Sequence, residues 1–159
     1  IHRLKTGILF HIPFLGPETI EERIDIAAME SIKLALAKFG LGCQIIDDIK
    51  DISKDYREKR HNYLLSIIYQ KGNEADKKRW ERLALKTNSQ KKAFLYFPDI
   101  VYPAAELAYG FMHRGLVTLG RMGLGTTGAS AKIMATSMFD ILGVGEIKKH
   151  LYAQRRYLR

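Results

Sequence analysis

Apolar residues recur every three to four positions along almost the whole chain, which is the period of a helix with one buried face. No stretch alternates apolar and polar residues between hairpin turns, so the pattern predicts an all-α fold. Residues 1–12 read as the end of a helix, punctuated by Pro13, Gly16 and Pro17. A long helical pattern follows over 18–58, with Glu18, Glu21 and Glu22 in its first turn, where acids favour a helix N-terminus. Gly40 and Gly42 are candidate kinks within it. Further helices are predicted over 62–70, ended by Gly72, and over 74–87, with Asn73 as its cap. Residues 87–90 read as a loop, Pro98 and Pro103 bracket a turn or helix start, and 104–121 reads as helix. Gly123, Gly125 and Gly128 mark a loop, and the last helices span 129–142 and 146–158, split at Gly143 and Gly145.

Composition narrows the class. The chain has 159 residues, 47% of them hydrophobic, with 4 prolines and 13 glycines, which suits one ordinary globular domain rather than a disordered or collagen-like chain. The one cysteine, Cys43, rules out a disulfide framework within the chain and is compatible with a reducing, cytoplasmic setting. No run approaches the roughly 20 apolar residues of a membrane span. Residues 8–14 do not read as a signal peptide, because His11 and Pro13 interrupt them. The net charge of +9 suits a polyanionic partner, whether nucleic acid, an anionic membrane surface or a diphosphate, and does not choose among them.

The most informative chemistry lies at 44–55. On a helix, Gln44, Asp48, Asp51 and Asp55 fall within about 60° of one another, with Asp47 at the edge. Ile45, Ile46, Ile49 and Ile52 occupy the adjoining face. Carboxylates this close raise one another's pKa, and a divalent cation relieves the repulsion. Hard oxygen ligands at i, i+1 and i+4 suit Mg²⁺, which usually takes one or two carboxylates and completes its shell with water and phosphate oxygens. A solvated acidic face with Lys50 and Lys54 as neighbours is the competing reading of so short a pattern.

The surrounding residues add a resemblance. Gly40-Leu41-Gly42-Cys43-Gln44-Ile45-Ile46-Asp47-Asp48-Ile49-Lys50-Asp51 resembles the second aspartate-rich motif of the trans-isoprenyl diphosphate synthases. Upstream, Lys5-Thr6-Gly7 resembles that family's Lys-Thr pair; downstream, Asp55 to Leu64 resembles the segment that brings a basic residue to the site and opens the next helix. The likeness covers roughly 3–70, while 71–159 agrees only in being helical. It implies a helical bundle of the isoprenoid-synthase type, isoprenyl diphosphate substrates and a homodimer. It also implies Mg²⁺ held by Asp47, Asp48 and Asp51; a diphosphate contacted by Lys5, with Thr6 and Gln44 lining the same site; and further positive charge from Lys59 or Arg60. Cationic side chains and Mg²⁺ would stabilise departing pyrophosphate, and the apolar interior would shield the allylic cation from water. Two departures stand out. The loop after the motif lacks the family's Gly-Lys segment, which opens cyclisation or head-to-head condensation as alternatives to elongation. The first aspartate-rich motif is absent from these residues, so 1–159 is expected to be the C-terminal half of a single domain, its apolar faces covered by a missing half or a partner chain.

Other features read more plainly. Gly123-Leu124-Gly125-Thr126-Thr127-Gly128 matches a dinucleotide fingerprint, but helices on both sides favour a helix connection capped by Thr126 or Thr127. Lys77, Lys78, Arg79, Arg82 and Lys86 mix with Glu74, Asp76 and Glu81, as a solvated face does, and no nucleic-acid partner is expected. The five histidines show no metal-ligand spacing, Cys43 reads as a small core residue, and Phe94, Tyr96, Phe97 and Tyr102 read as core or interface. The function classes set against an enzyme are a non-catalytic helical subunit of a prenyl diphosphate synthase and, least favoured and supported only by charge, a basic helical nucleic-acid-binding module.

Overall fold

The computed structural model describes residues 12–20, 25–84 and 90–155, and among them the fold is all-α with no strand. A 3-10 turn at Ile12–Phe14 leads into α1 (Leu15–Ile20). Then come α2 (Ile26–Lys50), α3 (Ile52–Arg57), α4 (Tyr63–Lys71) and α5 (Glu74–Ala84). A 3-10 segment at Gln90–Tyr96 precedes α6 (Pro98–Arg121) and α7 (Gly128–Ile141). A 3-10 turn at Gly145–Ile147 opens α8 (Lys148–Arg155). All of the helix expected over 1–12 except Ile12 lies outside the described residues, as does most of the loop expected over 87–90.

The pattern read as one helix over 18–58 is divided among α1, α2 and α3. The α2–α3 break is a single residue, Asp51, at φ −90° and ψ 10°. Backbone bonding runs on through it: Asp51 N–H donates to the Asp47 carbonyl at 2.8 Å, and Asp55 N–H to the Asp51 carbonyl at 2.9 Å. The helix expected from 104 begins earlier, at Pro98, where the missing N–H costs nothing in a first turn. Pro103 sits inside α6 and supplies no amide for the carbonyl one turn back.

Two compact units divide the chain. In the first, formed by 1–44 and 107–138, α2 and α6 run against each other at very short range. A Cβ on Gly42 would lie 2.4 Å from Met112 Cγ and 2.6 Å from the Ala108 carbonyl oxygen. A Cβ on Gly115 would lie 2.5 Å from the Ala35 carbonyl oxygen. Pairing 42 with 108–112 and 115 with 35–39 makes this crossing antiparallel. The helix α2 is continuous through the candidate kink positions Gly40 and Gly42, and Gly42 is there because α6 leaves no room for a side chain. The Gly123–Gly128 loop has left-handed glycines at 123 and 125, and the Thr126 hydroxyl ties it back to the Leu116 carbonyl at 2.8 Å. Thr127 caps α7: its hydroxyl accepts from Ser130 N–H at 3.1 Å, while Ser130 Oγ accepts from Thr127 N–H at 2.7 Å.

The second unit, 45–106 with 139–159, carries the larger apolar side chains. Ile45, Ile46, Ile49, Ile52, Leu64, Ile68, Phe94 and Phe97 are all buried. Trp80 is fully buried, edge-on to Tyr56 with ring centres 5.4 Å apart and tilted against Phe97 at 5.8 Å. Each such aliphatic residue, fully buried, stabilises by about 1.5–3 kcal/mol. The isoleucines thus fix the rotation of α2 and α3, and the intervening aspartates take the positions that remain. Among the described residues no helix is long and apolar enough to cross a membrane.

Gly42→Ala and Gly115→Ala should each destabilise the fold by about 1–3 kcal/mol in urea unfolding, since an added methyl meets backbone atoms of the facing helix. Gly128→Ala, with open space around it at the start of α7, should leave stability unchanged or slightly raised.

Candidate functional site

The isoleucine face that packs the second unit forces Asp47, Asp48 and Asp51 into different surroundings. Asp47 is exposed, Asp51 half-buried, and Asp48 buried at 3% exposure. Asp48 Oδ2 accepts from the Tyr63 N–H at 2.8 Å. That amide belongs to the first turn of α4, where helix geometry leaves the N–H groups to be capped from outside. Asp51 lies 3.8 Å from Lys54 Nζ. Partial burial, and then the neighbouring carboxylates of Asp51 and Asp48, push the Asp47 carboxyl above the usual carboxylate range.

Asn62, 1% exposed, joins the acidic segment to the next helix. Its Nδ2 donates to the Asp48 carbonyl at 2.7 Å and to Asp55 Oδ2 at 2.9 Å. Its Oδ1 accepts from Leu64 N–H at 3.0 Å and Leu65 N–H at 3.3 Å. The second pair of bonds caps α4. The sequence pattern places Asn62 only at a helix start; an Asn ahead of the apolar run Tyr63–Ile68 signals a cap, and nothing local signals its reach back to Asp48. The Asp48–Asn62–Asp55 network holds the turn at 58–62, which carries Lys59 and Arg60.

That turn ends α3 in a left-handed step. Arg60 N–H donates to the Asp55 carbonyl at 2.8 Å, and Lys59 has φ 52°. A side chain in this conformation costs about 1–2 kcal/mol relative to glycine. Lys59 and Arg60 line an open cleft of about 460 Å³ together with Asp55, Tyr56, Asn62 and Tyr69. Asp47, Asp48 and Asp51 do not line it, so the basic turn and the acidic helix end are not gathered into one pocket.

Gln44 lies half-buried on α2, one turn before Asp48; Lys5 and Thr6 lie outside the described residues. Burial pushes the Cys43 thiol up to about 11, and its sulfur rests 3.9 Å from Met112 Sδ. A thiol held neutral in this way has a packing role. On α5, Lys77 pairs with Glu74 at 2.8 Å, and Arg79 lies over the Phe97 ring at 5.8 Å. His113 stacks on Tyr109; His150 stacks on Tyr102 and lies 3.0 Å from Glu106.

Among the described residues no group of three or more His, Cys, Asp or Glu side chains is arranged to hold a metal ion. Of the predicted set Asp47, Asp48 and Asp51, the buried Asp48 commits one carboxylate oxygen to Tyr63 N–H, and the exposed Asp47 and half-buried Asp51, one helical turn apart, are the more accessible hard-oxygen donors. One or two carboxylates are what Mg²⁺ usually takes, so this donor set fits that ion while leaving most of its shell to water and phosphate. Comparison with known proteins returned no match: no family model, curated protein or solved structure aligns with the chain.

Asn62→Ala should cost about 2–3 kcal/mol in denaturant unfolding, because it removes a cap and strands the buried Asp48 carbonyl. Asp47→Asn should have a pH-dependent effect. Below the ordinary Asp pKa of about 3.9, Asp47 is protonated in both states and the variant matches the parent. As pH rises toward the raised folded value, the folded state keeps a proton the unfolded chain has lost, so the parent loses stability. The variant should therefore be the more stable at neutral pH and indistinguishable in acid below the ordinary Asp range, by urea unfolding under both conditions.

Proposed function

We propose that this chain is the C-terminal, metal-binding half of a Mg²⁺-dependent prenyltransferase of the isoprenoid-synthase type, which ionises allylic diphosphates to build a longer prenyl diphosphate. The observation that carries the reading is the carboxylate pair Asp47 and Asp51, set beside the buried Ile45, Ile46 and Ile49 and crowded further by Asp48. The likeness of 3–70 to the trans-isoprenyl diphosphate synthases supports it from the sequence side. Asp47 and Asp51 would hold Mg²⁺, which when bound neutralises the departing pyrophosphate. Asp48 positions them, since its carboxylate fixes α4 against the helix end. Gln44, Lys5 and Thr6 would line the diphosphate from upstream. A homodimer, a cytoplasmic setting and a covering N-terminal half belong to the same proposal.

One observation favours a second reading. Asp48 is buried and bonded to backbone, as a purely structural aspartate would be. On that reading the chain is a silent helical subunit that retains the fold of a prenyl diphosphate synthase and modulates an active partner.

The two readings separate in the full gene product supplied with isopentenyl and dimethylallyl diphosphates and Mg²⁺. The enzyme reading expects Mg²⁺-dependent prenyl products, reduced about 10²-fold or more in Asp47→Ala and Asp51→Ala. These two variants are preferred to Asp48→Ala, whose loss would also loosen α4. Inactivity of the parent with these and with longer allylic diphosphates would sink the enzyme reading and leave the silent subunit.

A further inference from the structure

Among the described residues, a cleft of about 330 Å³ lies between α5 and the 3-10 segment Gln90–Tyr96, within the second compact unit. It is lined by Arg79, Arg82, Leu83 and Tyr96: two cations, two apolar or aromatic side chains and no described acid. It shares none of these residues with the cleft at the end of α3. Arg79 and Arg82 are three residues apart on α5, which sets them side by side on one helix face. Neither makes an ion pair among the described residues. Both are instead held by contacts that leave their charge uncompensated. Arg79 lies over the Phe97 ring at 5.8 Å, and Phe97 is itself buried against the fully buried Trp80. Arg82 Nε donates to the Lys78 carbonyl at 3.2 Å, which leaves the two terminal amino groups of its guanidinium for another acceptor. The 3-10 segment adds an apolar edge, with Leu95 44% and Tyr96 42% exposed.

We propose that this cleft docks an acidic segment of a partner protein, with carboxylates on Arg79 and Arg82 and an apolar side chain against Leu83 and Tyr96. Guanidinium forks match carboxylates bidentately, and an arginine partly fixed before binding loses less freedom on pairing. Charge complementarity selects the class of partner. A chain of net charge +9 draws an acidic segment, and the two arginines meet no described acid within the cleft. A nucleic acid fits this surface less well. It needs cations that track its backbone, and Glu74, Asp76 and Glu81 interrupt the basic run of α5. The proposal is independent of the isoprenyl reading, because none of these residues is assigned to Mg²⁺ or to diphosphate.

Titration calorimetry on the full chain tests it with the peptide Glu-Glu-Leu-Phe-Glu-Glu, beside Gln-Gln-Leu-Phe-Gln-Gln and a uridine hexanucleotide. The acidic peptide should bind, and its glutamine twin at least tenfold more weakly. Arg82→Gln should weaken the acidic peptide at least tenfold and leave thermal stability unchanged, because Arg82 is exposed. Arg82→Lys keeps the charge and loses the fork, so it should recover only part of that binding. Tyr96→Ala should weaken the peptide severalfold through the lost apolar contact. Absence of binding by the parent, equal binding of the glutamine twin, parent-like binding by Arg82→Gln or Tyr96→Ala, or full recovery by Arg82→Lys would each overturn the proposal. Tighter binding of the uridine hexanucleotide would overturn it too, and would assign the surface to nucleic acid.

Discussion

The buried amide of Asn62 is the interaction on which the second unit turns. It satisfies four polar groups at once: the Asp48 carbonyl, the Asp55 carboxylate and the amides of Leu64 and Leu65. The two amides sit where helix geometry leaves them without an internal partner, and the Asp48 carbonyl where burial removes water. A side chain carrying both two donors and an acceptor is needed there; aspartate would offer no donor, and serine too short a reach. The direction of α4, the depth of Asp48 and the placement of the basic turn all follow from that one residue.

The acidic helix end shows how packing divides a cluster that looks uniform in sequence. Four aspartates share a stripe by helical arithmetic, yet the burial of Ile46, Ile49 and Ile52 rotates the segment so that Asp48 goes inward and Asp47 outward. The inward carboxylate finds an amide; the outward one is left facing like charge. A buried, backbone-bonded aspartate and an exposed one crowded by like charge can thus be adjacent in sequence.

Much of the architecture was legible because helix periodicity and caps are local. Asn73 and Gly72 bound their helices as the sequence implies: Asn73 Oδ1 accepts from Asp76 N–H at 2.8 Å, and Gly72 ends α4. The glycine-rich loop lies between helices with Thr127 as the cap, as its neighbours implied. What was not legible depends on partners distant in sequence. Gly42 resembles a kink until Ala108 and Met112 are known to press on it. The interruption at Asp51 leaves no mark on periodicity, because the bonds on either side of it keep the helical register. Lys59 and Arg60 were expected beside Asp47, Asp48 and Asp51; they line a cleft of which only Asp55, among the four aspartates of the stripe, forms a part.

Trp80 has an optical consequence. It is the one tryptophan in the chain, fully buried, with its Nε1 lacking a hydrogen-bond partner among the described residues. An indole so shielded emits toward the blue and reports on its immediate neighbours. Tyr56 presses on it edge-on at 5.4 Å, and Tyr56 also forms part of the cleft wall. Any rearrangement of that wall is therefore registered by a fluorophore already present in the molecule, without a label.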